Sequence, residues 1–299
     1  MKIFLHYNRE DWIIDRMAME FQSRWPDVIS KSVESCDLIW SLSPKILRHP
    51  TIPIITMVHH VDPTKYDSSF YKAMDLGTSH YITFCNKTKE VMESLPEFTK
   101  SINVLPYWVN TDLWKESNKD ECRVSLSLSK EKYIIGSFQR DTEGNDLISP
   151  KLSKGPDRFC DYVEKVQAQR GDVHVLLGGW RRQYVISRLK RADIPFTYIE
   201  RPPIATVNTM YNACDLYVVG SRYEGGPQSI LECAITKTPI VSTDVGIAKD
   251  ILSPKCIIDI EKDMYTPNDS DLEYAYSKAL ELSLEKDLGH VSLFKSLVK

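Results

Sequence analysis

What most limits the folds open to this chain is an alternation that runs along nearly all of it. Short apolar runs of strand length are followed by longer segments with helical periodicity, again and again. In the first half, strands are expected over residues 3–7, 37–41, 52–59, 81–85 and 102–105, with helices over 12–25, 70–76 and 87–95. In the first of those helices, Ile13, Met17 and Phe21 fall at i, i+4 and i+8. A second series gives strands over 133–138, 173–177, 196–199, 216–221, 240–243 and 257–259, with helices over 157–169, 181–191, 206–213, 227–236 and 247–252. Phe159, Val163 and Val166 share one face of the 157–169 helix, and residues 271–299 read as largely helical. Such alternation predicts parallel β-α units with helices on both faces of each sheet.

The polar stretch 115–131 carries no core pattern and is expected to be the crossing between two domains. A chain of 299 residues has room for two domains of about 120–150 residues each. The predicted architecture is therefore α/β, with two Rossmann-like domains facing a cleft. The N-terminal domain is expected over 1–118 and the C-terminal domain over 119–275. Residues 276–299 form a closing helical segment placed to pack back on the N-terminal domain. Ligands of such folds bind at the carboxyl ends of the strands, so functional residues are sought in the loops that follow them.

Charge and cysteine content exclude several classes. With 38 basic against 41 acidic residues and a net charge of −3, the chain lacks the basic excess of a nucleic-acid binder. A local basic cleft for a small anion is compatible with that balance. The seven cysteines, Cys36, Cys85, Cys122, Cys160, Cys214, Cys233 and Cys256, are scattered and form no C-x-x-C pair. That argues against a disulfide framework or a zinc site and for buried reduced thiols. Residues 1–6 read as a first strand rather than a signal peptide. No apolar run approaches the roughly 20 residues of a membrane helix. A reducing, cytoplasmic setting is expected.

The strongest local pattern follows the strand at 216–221: Arg222-Tyr223-Glu224-Gly225-Gly226-Pro227-Gln228-Ser229-Ile230-Leu231-Glu232. It reads as strand, glycine turn, then helix, with Pro227 suited to the first helical turn. Gly225 and Gly226 allow close backbone approach to a ligand. The N–H groups of Gln228, Ser229 and Ile230, together with the helix dipole, suit a diphosphate. Glu224 is placed to accept hydrogen bonds from sugar hydroxyls, and Glu232, in the second turn, to hold a ribose diol. Taken alone, Glu224 would be a solvated loop acid; its setting beside a glycine turn at a sheet end favours a site.

This run, with its E-x7-E spacing, resembles the retaining glycosyltransferases of the GT-B fold, in particular family 4, the glycosyl transferases group 1. The resemblance implies that Glu224 contacts the donor sugar and Glu232 the nucleotide ribose. Residues 238–243 and Val245-Gly246 look like the family's continuation, although Lys237-Thr238 stand where a glycine is usual. Residues 103–114 resemble the close of the family's N-terminal domain. Gly136-Ser137-Phe138-Gln139-Arg140, then Lys154-Gly155-Pro156, resemble the opening of its donor domain, where an arginine and a lysine meet the donor diphosphate. Arg140 and Lys154 carry those roles over, with Ser137 beside them and Lys151 as a second candidate lysine across a loop longer than usual. Pro203, in Arg201-Pro202-Pro203, lies where relatives frame the base. His60 first, or His59, resembles the histidine beside the donor sugar. The stretch 7–12 holds no glycine, unlike the glycine-rich loop of many relatives, so acceptor handling is not legible.

Two further patterns have plainer readings. Trp180-Arg181-Arg182 reads as a helix start with a solvated face. Asp269-Ser270-Asp271 has the D-x-D letters of metal-dependent transferases, but it follows Pro267-Asn268 and reads as a helix cap, so no metal ligand is assigned.

The resemblance implies a retaining transferase that moves a hexose from a nucleoside diphosphate to an acceptor hydroxyl, with mannose from GDP-mannose put slightly first. Fixed cations would replace a metal, and no cofactor is implied beyond the nucleotide-sugar donor. The expected partners are that donor and a glycan or other hydroxyl acceptor; a homodimer is compatible, and nucleic acid is not expected. Two alternatives remain: a nucleotide-sugar 2-epimerase of the same fold, and a non-catalytic nucleotide-sugar-binding module.

Overall fold

Burial on both faces is what turns the short apolar runs into central strands of parallel sheets. In a computed structural model, residues 1–9 and 13–298 are described. Glu10, Asp11 and Trp12, which include the expected start of the first helix and the end of the glycine-free stretch, lie outside the described residues, as does Lys299. The chain divides into two compact units, Met1–Trp108 with Leu284–Lys299, and Val109–Ser283.

The first unit runs β1 (Ile3–His6), α1 (Ile13–Arg24), β2 (Leu38–Ser41), β3 (Ile54–Met57), α2 (Ser68–Asp75), β4 (His80–Thr83), α3 (Asn86–Glu93) and β5 (Ile102–Val104). Its sheet is parallel, in the order β1-β2-β3-β4-β5, with Ile39 opposite Ile54, Ile55 opposite His80 and Tyr81 opposite Ile102. Every residue of β2, β3 and β4 is buried, whereas β1, at the edge, alternates. Met17 and Phe21 of the expected α1 stripe are buried, Phe21 edge-on to Trp40 at 4.9 Å.

The second unit runs α4 (Lys119–Ser125), β6 (Tyr133–Ser137), α5 (Pro156–Arg170), β7 (Val173–Gly179), α6 (Gln183–Arg191), β8 (Phe196–Glu200), α7 (Ile204–Ala213), β9 (Leu216–Val219), α8 (Gln228–Ile235), β10 (Ile240–Ser242), α9 (Ala248–Ile251) and α10 (Asp269–Leu280). Its strands are parallel in the order β10-β9-β6-β7-β8. The chain therefore starts in the middle of this sheet, builds outward to β8, then returns to the other side of β6. The loops after β6 and β9 leave adjacent strands at that reversal, the position where open α/β sheets bind ligands.

Three local expectations are corrected. The polar stretch 115–131 is not a bare crossing: it holds α4, capped by the Asn118 side chain on the Glu121 N–H at 3.1 Å. Cys122 and Leu128 enter the core beside Ile134, Leu176 and Met210, and Arg123 is buried, donating to the Ala213 carbonyl (3.0 Å) and to Asp215 (2.5 Å). The strand expected at 257–259 reduces to a single bridge from Ile257 to Ser242. The helical reading of 271–299 splits into α10 and α11 (His290–Leu297), and α11 belongs to the first unit. The D-x-D letters open α10, with Asn268 and Asp271 forming a capping box. All seven cysteines are buried and unbridged.

Candidate functional site

Two glycines set how closely the loops at the β6–β9 reversal approach. Gly155, between Lys154 and α5, sits at φ 62°, and a Cβ there would lie 1.8 Å from the Gly220 carbonyl oxygen. Only glycine allows that backbone to abut the strand end that leads to Glu224. Gly246 does the same from the other side. It has φ 50°, and a Cβ there would lie 2.3 Å from the Gly225 oxygen. Backbone bonds complete the join: the Arg222 and Tyr223 N–H groups donate to the Ser153 carbonyl at 2.8 and 3.2 Å. Arg222 also grips Asp157 with two bonds, at 2.8 and 2.6 Å.

This join brings the expected cation and acid together. The Lys154 ammonium forms an ion pair with Glu224 Oε1, and the Ser221 hydroxyl donates to the same oxygen at 3.2 Å. Their side chains are 24% and 9% exposed, so the pair is shielded but reachable. The Gln139 amide donates to the Lys154 carbonyl at 2.9 Å, which fixes the lysine's backbone. Lys151 heads the turn before Lys154, its N–H donating to the Asp141 carbonyl at 2.7 Å.

Beyond Glu224, Gly225 is buried and Gly226 half-buried; Pro227 caps α8, whose first residues Gln228 and Ser229 are half-buried. One expected donor is corrected: the Ile230 N–H already donates to the Pro227 carbonyl at 3.0 Å, inside the first turn. Glu232 is 6% exposed and accepts the Tyr211 hydroxyl at 2.7 Å. Burial, reinforced by the Glu232 carboxylate, pushes the Tyr211 phenol well above its usual range, so it stays a donor and orients the acid.

Arg140 follows β6. Its Nε donates to the Thr142 carbonyl at 2.6 Å, and its guanidinium lies 5.7 Å from the centre of the Trp180 ring. Burial, and Arg181 beside it, hold it below the usual guanidinium range. Pro203 is exposed at the head of α7.

The solvated-face reading of Trp180-Arg181-Arg182 is overturned at Arg182, which is 1% exposed. Its Nε donates to Asp141 at 3.0 Å, and its Nη atoms to the Ser137 carbonyl, the Gly178 carbonyl (2.8 Å) and the Ser137 hydroxyl (3.1 Å). Asp141 also accepts the Tyr184 and Val185 N–H groups at the head of α6, each at 3.3 Å. This buried knot ties the ends of β6 and β7. Within it the Ser137 hydroxyl accepts from Arg182.

His59 and His60 lie in the first unit, just after β3. Both ring nitrogens of His59 are engaged, with the Tyr107 hydroxyl at 2.7 Å and the Leu42 carbonyl at 2.8 Å. His60 is half-buried beside it.

Residues 148–280, which contain Lys154, Glu224 and Glu232, match the family described as glycosyl transferases group 1. A lipopolysaccharide core biosynthesis mannosyltransferase, LpsB, of Rhizobium meliloti (strain 1021) is 24% identical over 143 residues, a match spanning 46% of this chain and only 38% of that protein's length. Among solved structures, Anabaena HepE in complex with UDP and glucose superposes with a TM-score of 0.71 at 12% identity, covering 99% of this chain and 98% of that one. A sucrose-phosphate synthase from Thermosynechococcus elongatus does so with a TM-score of 0.68 at 12% identity, covering 97% and 80%. Among the described residues no helix is long and apolar enough to cross a membrane. Residues 148–280 thus match the glycosyl transferases group 1 family, in a chain with the fold of the GT-B glycosyltransferases.

Proposed function

We propose that the chain is a glycosyltransferase that moves a hexose from a nucleoside-diphosphate sugar to an acceptor hydroxyl with retention of anomeric configuration. The observation that carries this reading is the shielded Lys154–Glu224 pair at the β6–β9 reversal. The costly step is departure of the diphosphate from the sugar. Positive charge fixed at Lys154 and Arg140, with the N–H groups of Gln228 and Ser229 at the head of α8, stabilises the negative charge as it grows. Lys151 is the second candidate for the lysine role. Glu224 orients the sugar and neutralises the ammonium until a diphosphate arrives. Glu232, held by Tyr211, takes the ribose hydroxyls. His60 is the first candidate for the histidine that meets the donor sugar, and His59 the second.

Mannose carried on GDP is put first as donor, supported by the mannosyltransferase among the relatives; HepE, one of the structural relatives, was captured with UDP and glucose. The acceptor is a glycan or other hydroxyl compound, and the fixed cations make a metal unnecessary for the leaving group.

Product analysis with a panel of nucleotide sugars tests the reading. Sugar transfer, or slow donor hydrolysis without acceptor, is the expected result. An isomerised donor would identify a 2-epimerase instead, and tight binding without turnover a binding module.

A further inference from the structure

One arginine beside the Lys154–Glu224 pair takes no part in the chemistry proposed above, yet three pieces of backbone meet at it. Arg222 stands two residues before Glu224. Its guanidinium donates to both carboxylate oxygens of Asp157, at 2.8 and 2.6 Å, and to the Leu152 carbonyl at 2.9 Å. Leu152 opens the short turn that ends in Lys154, and Asp157 lies in the first turn of α5, just beyond Gly155. One planar group therefore holds the loop of Glu224, the turn of Lys154 and the head of α5.

The surroundings suit a fixed pair rather than a loose surface contact. The Arg222 and Asp157 side chains are 25% and 26% exposed, and a two-pronged arginine–carboxylate contact sets orientation as well as energy. Burial works to raise the Asp157 pKa, but the Arg222 fork and the N–H groups of Arg158 and Asp157 outweigh it and hold the carboxyl below its usual range. Glu261, which pairs with Arg158 at 2.8 Å, adds negative charge on the Arg222 side. The Lys154–Glu224 ion pair cannot do the same holding once a donor is bound. The ammonium then turns to the diphosphate and the carboxylate to the sugar, so their direct bond parts. What still ties the two turns is the Ser153 carbonyl, a 3.4 Å contact from the Ser221 hydroxyl to the Lys154 carbonyl and, with charge behind it, the Arg222–Asp157 fork.

We infer that Arg222 and Asp157 are positioning residues, which keep the Lys154 turn and the Glu224 loop at a fixed separation while the ion pair between them opens for the donor. This rests on the proposed donor site and adds to it two residues that act through Lys154 and Glu224. The consequence falls on turnover more than on binding. A lysine's long flexible stem still reaches a diphosphate when its turn drifts. Glu224, on a shorter stem, must meet the sugar at one distance, and an error of about 1 Å in such a group costs up to about a hundredfold in rate.

Steady-state consumption of GDP-mannose and of UDP-glucose by the full chain, as wild type, Arg222→Ala, Asp157→Ala and the double variant, tests the inference, with calorimetric titration and thermal unfolding on the same samples. Each single variant is expected to lower kcat at least about tenfold, while KM and donor affinity change less than about threefold. The double variant should be no worse than either single one, because the two residues act as a unit. Turnover retained in Arg222→Ala, a loss of kcat that only follows the fraction of folded protein, or losses that multiply in the double variant would overturn the inference and leave the donor site standing. Wild type that consumes neither donor would end the transferase reading and the inference together.

Discussion

Lys154 and Glu224 are 70 positions apart in sequence, yet they form an ion pair in a shielded setting. Removing either therefore does something different from removing a surface charge. Glu224→Ala should lower turnover by about two orders of magnitude, as loss of a group aimed at the reacting sugar does, while nucleotide affinity changes little; steady-state kinetics beside calorimetry reads both. Lys154→Ala should weaken diphosphate binding, and Lys151→Ala, measured in parallel, should weaken it less. The acid and its glycine turn were legible in the sequence because strand, Gly-Gly and helix follow in unbroken order. Arg182 was not. It follows Arg181, has the same chemistry and differs only in which acceptors the fold brings to it. Arg182→Met should destabilise the second unit by about 3–5 kcal/mol, because Asp141 is left charged and buried; chemical denaturation measures the loss.

At the scale of elements, the site is a product of backbone contacts as much as side chains. Gly155 and Gly246 each occupy the left-handed region and each lack room for a methyl group against a facing carbonyl. Gly155→Ala or Gly246→Ala should cost about 2–4 kcal/mol from dihedral strain and forced separation of the loops. Activity should fall further than stability does, since the loops carry Lys154 and Glu224. Thermal unfolding and initial rates on the same samples separate the two effects. The strands were readable in sequence because burial on both faces demands continuous apolar runs. α4 was not, since its inward positions are Cys122 and a buried arginine, neither of which leaves an apolar periodicity.

Across the molecule, the last described helix returns to the unit formed by the first 108 residues. α11 brings His290 and Phe294, both fully buried, against Trp40 at 5.9 and 4.9 Å. Burial, only partly opposed by Asp287, lowers the His290 pKa from 6.5 to about 4. The folded chain therefore refuses a proton that the unfolded chain accepts. Stability is complete above pH 6.5 and drains as pH falls toward 4, by about 3 kcal/mol in total. Denaturation midpoints taken between those values should show the loss, and His290→Leu should lessen it, the rest coming from His6, His80 and His174, whose pKa values burial also lowers. Sheet order was beyond the sequence: alternation announces parallel β-α units, but only tertiary pairing puts β6 between β7 and β9 and so makes neighbours of the loops that follow β6 and β9.

Titration of one nucleotide sugar into wild type, Lys154→Ala and Glu224→Ala, with transfer assayed on the same samples, bears most directly on the claim that the two residues form a donor site. The expected result is binding in wild type, at least about tenfold weaker binding in Lys154→Ala, and nearly intact binding with transfer lost in Glu224→Ala. Binding that ignores Lys154→Ala, or transfer that survives Glu224→Ala at the wild-type rate, would contradict it.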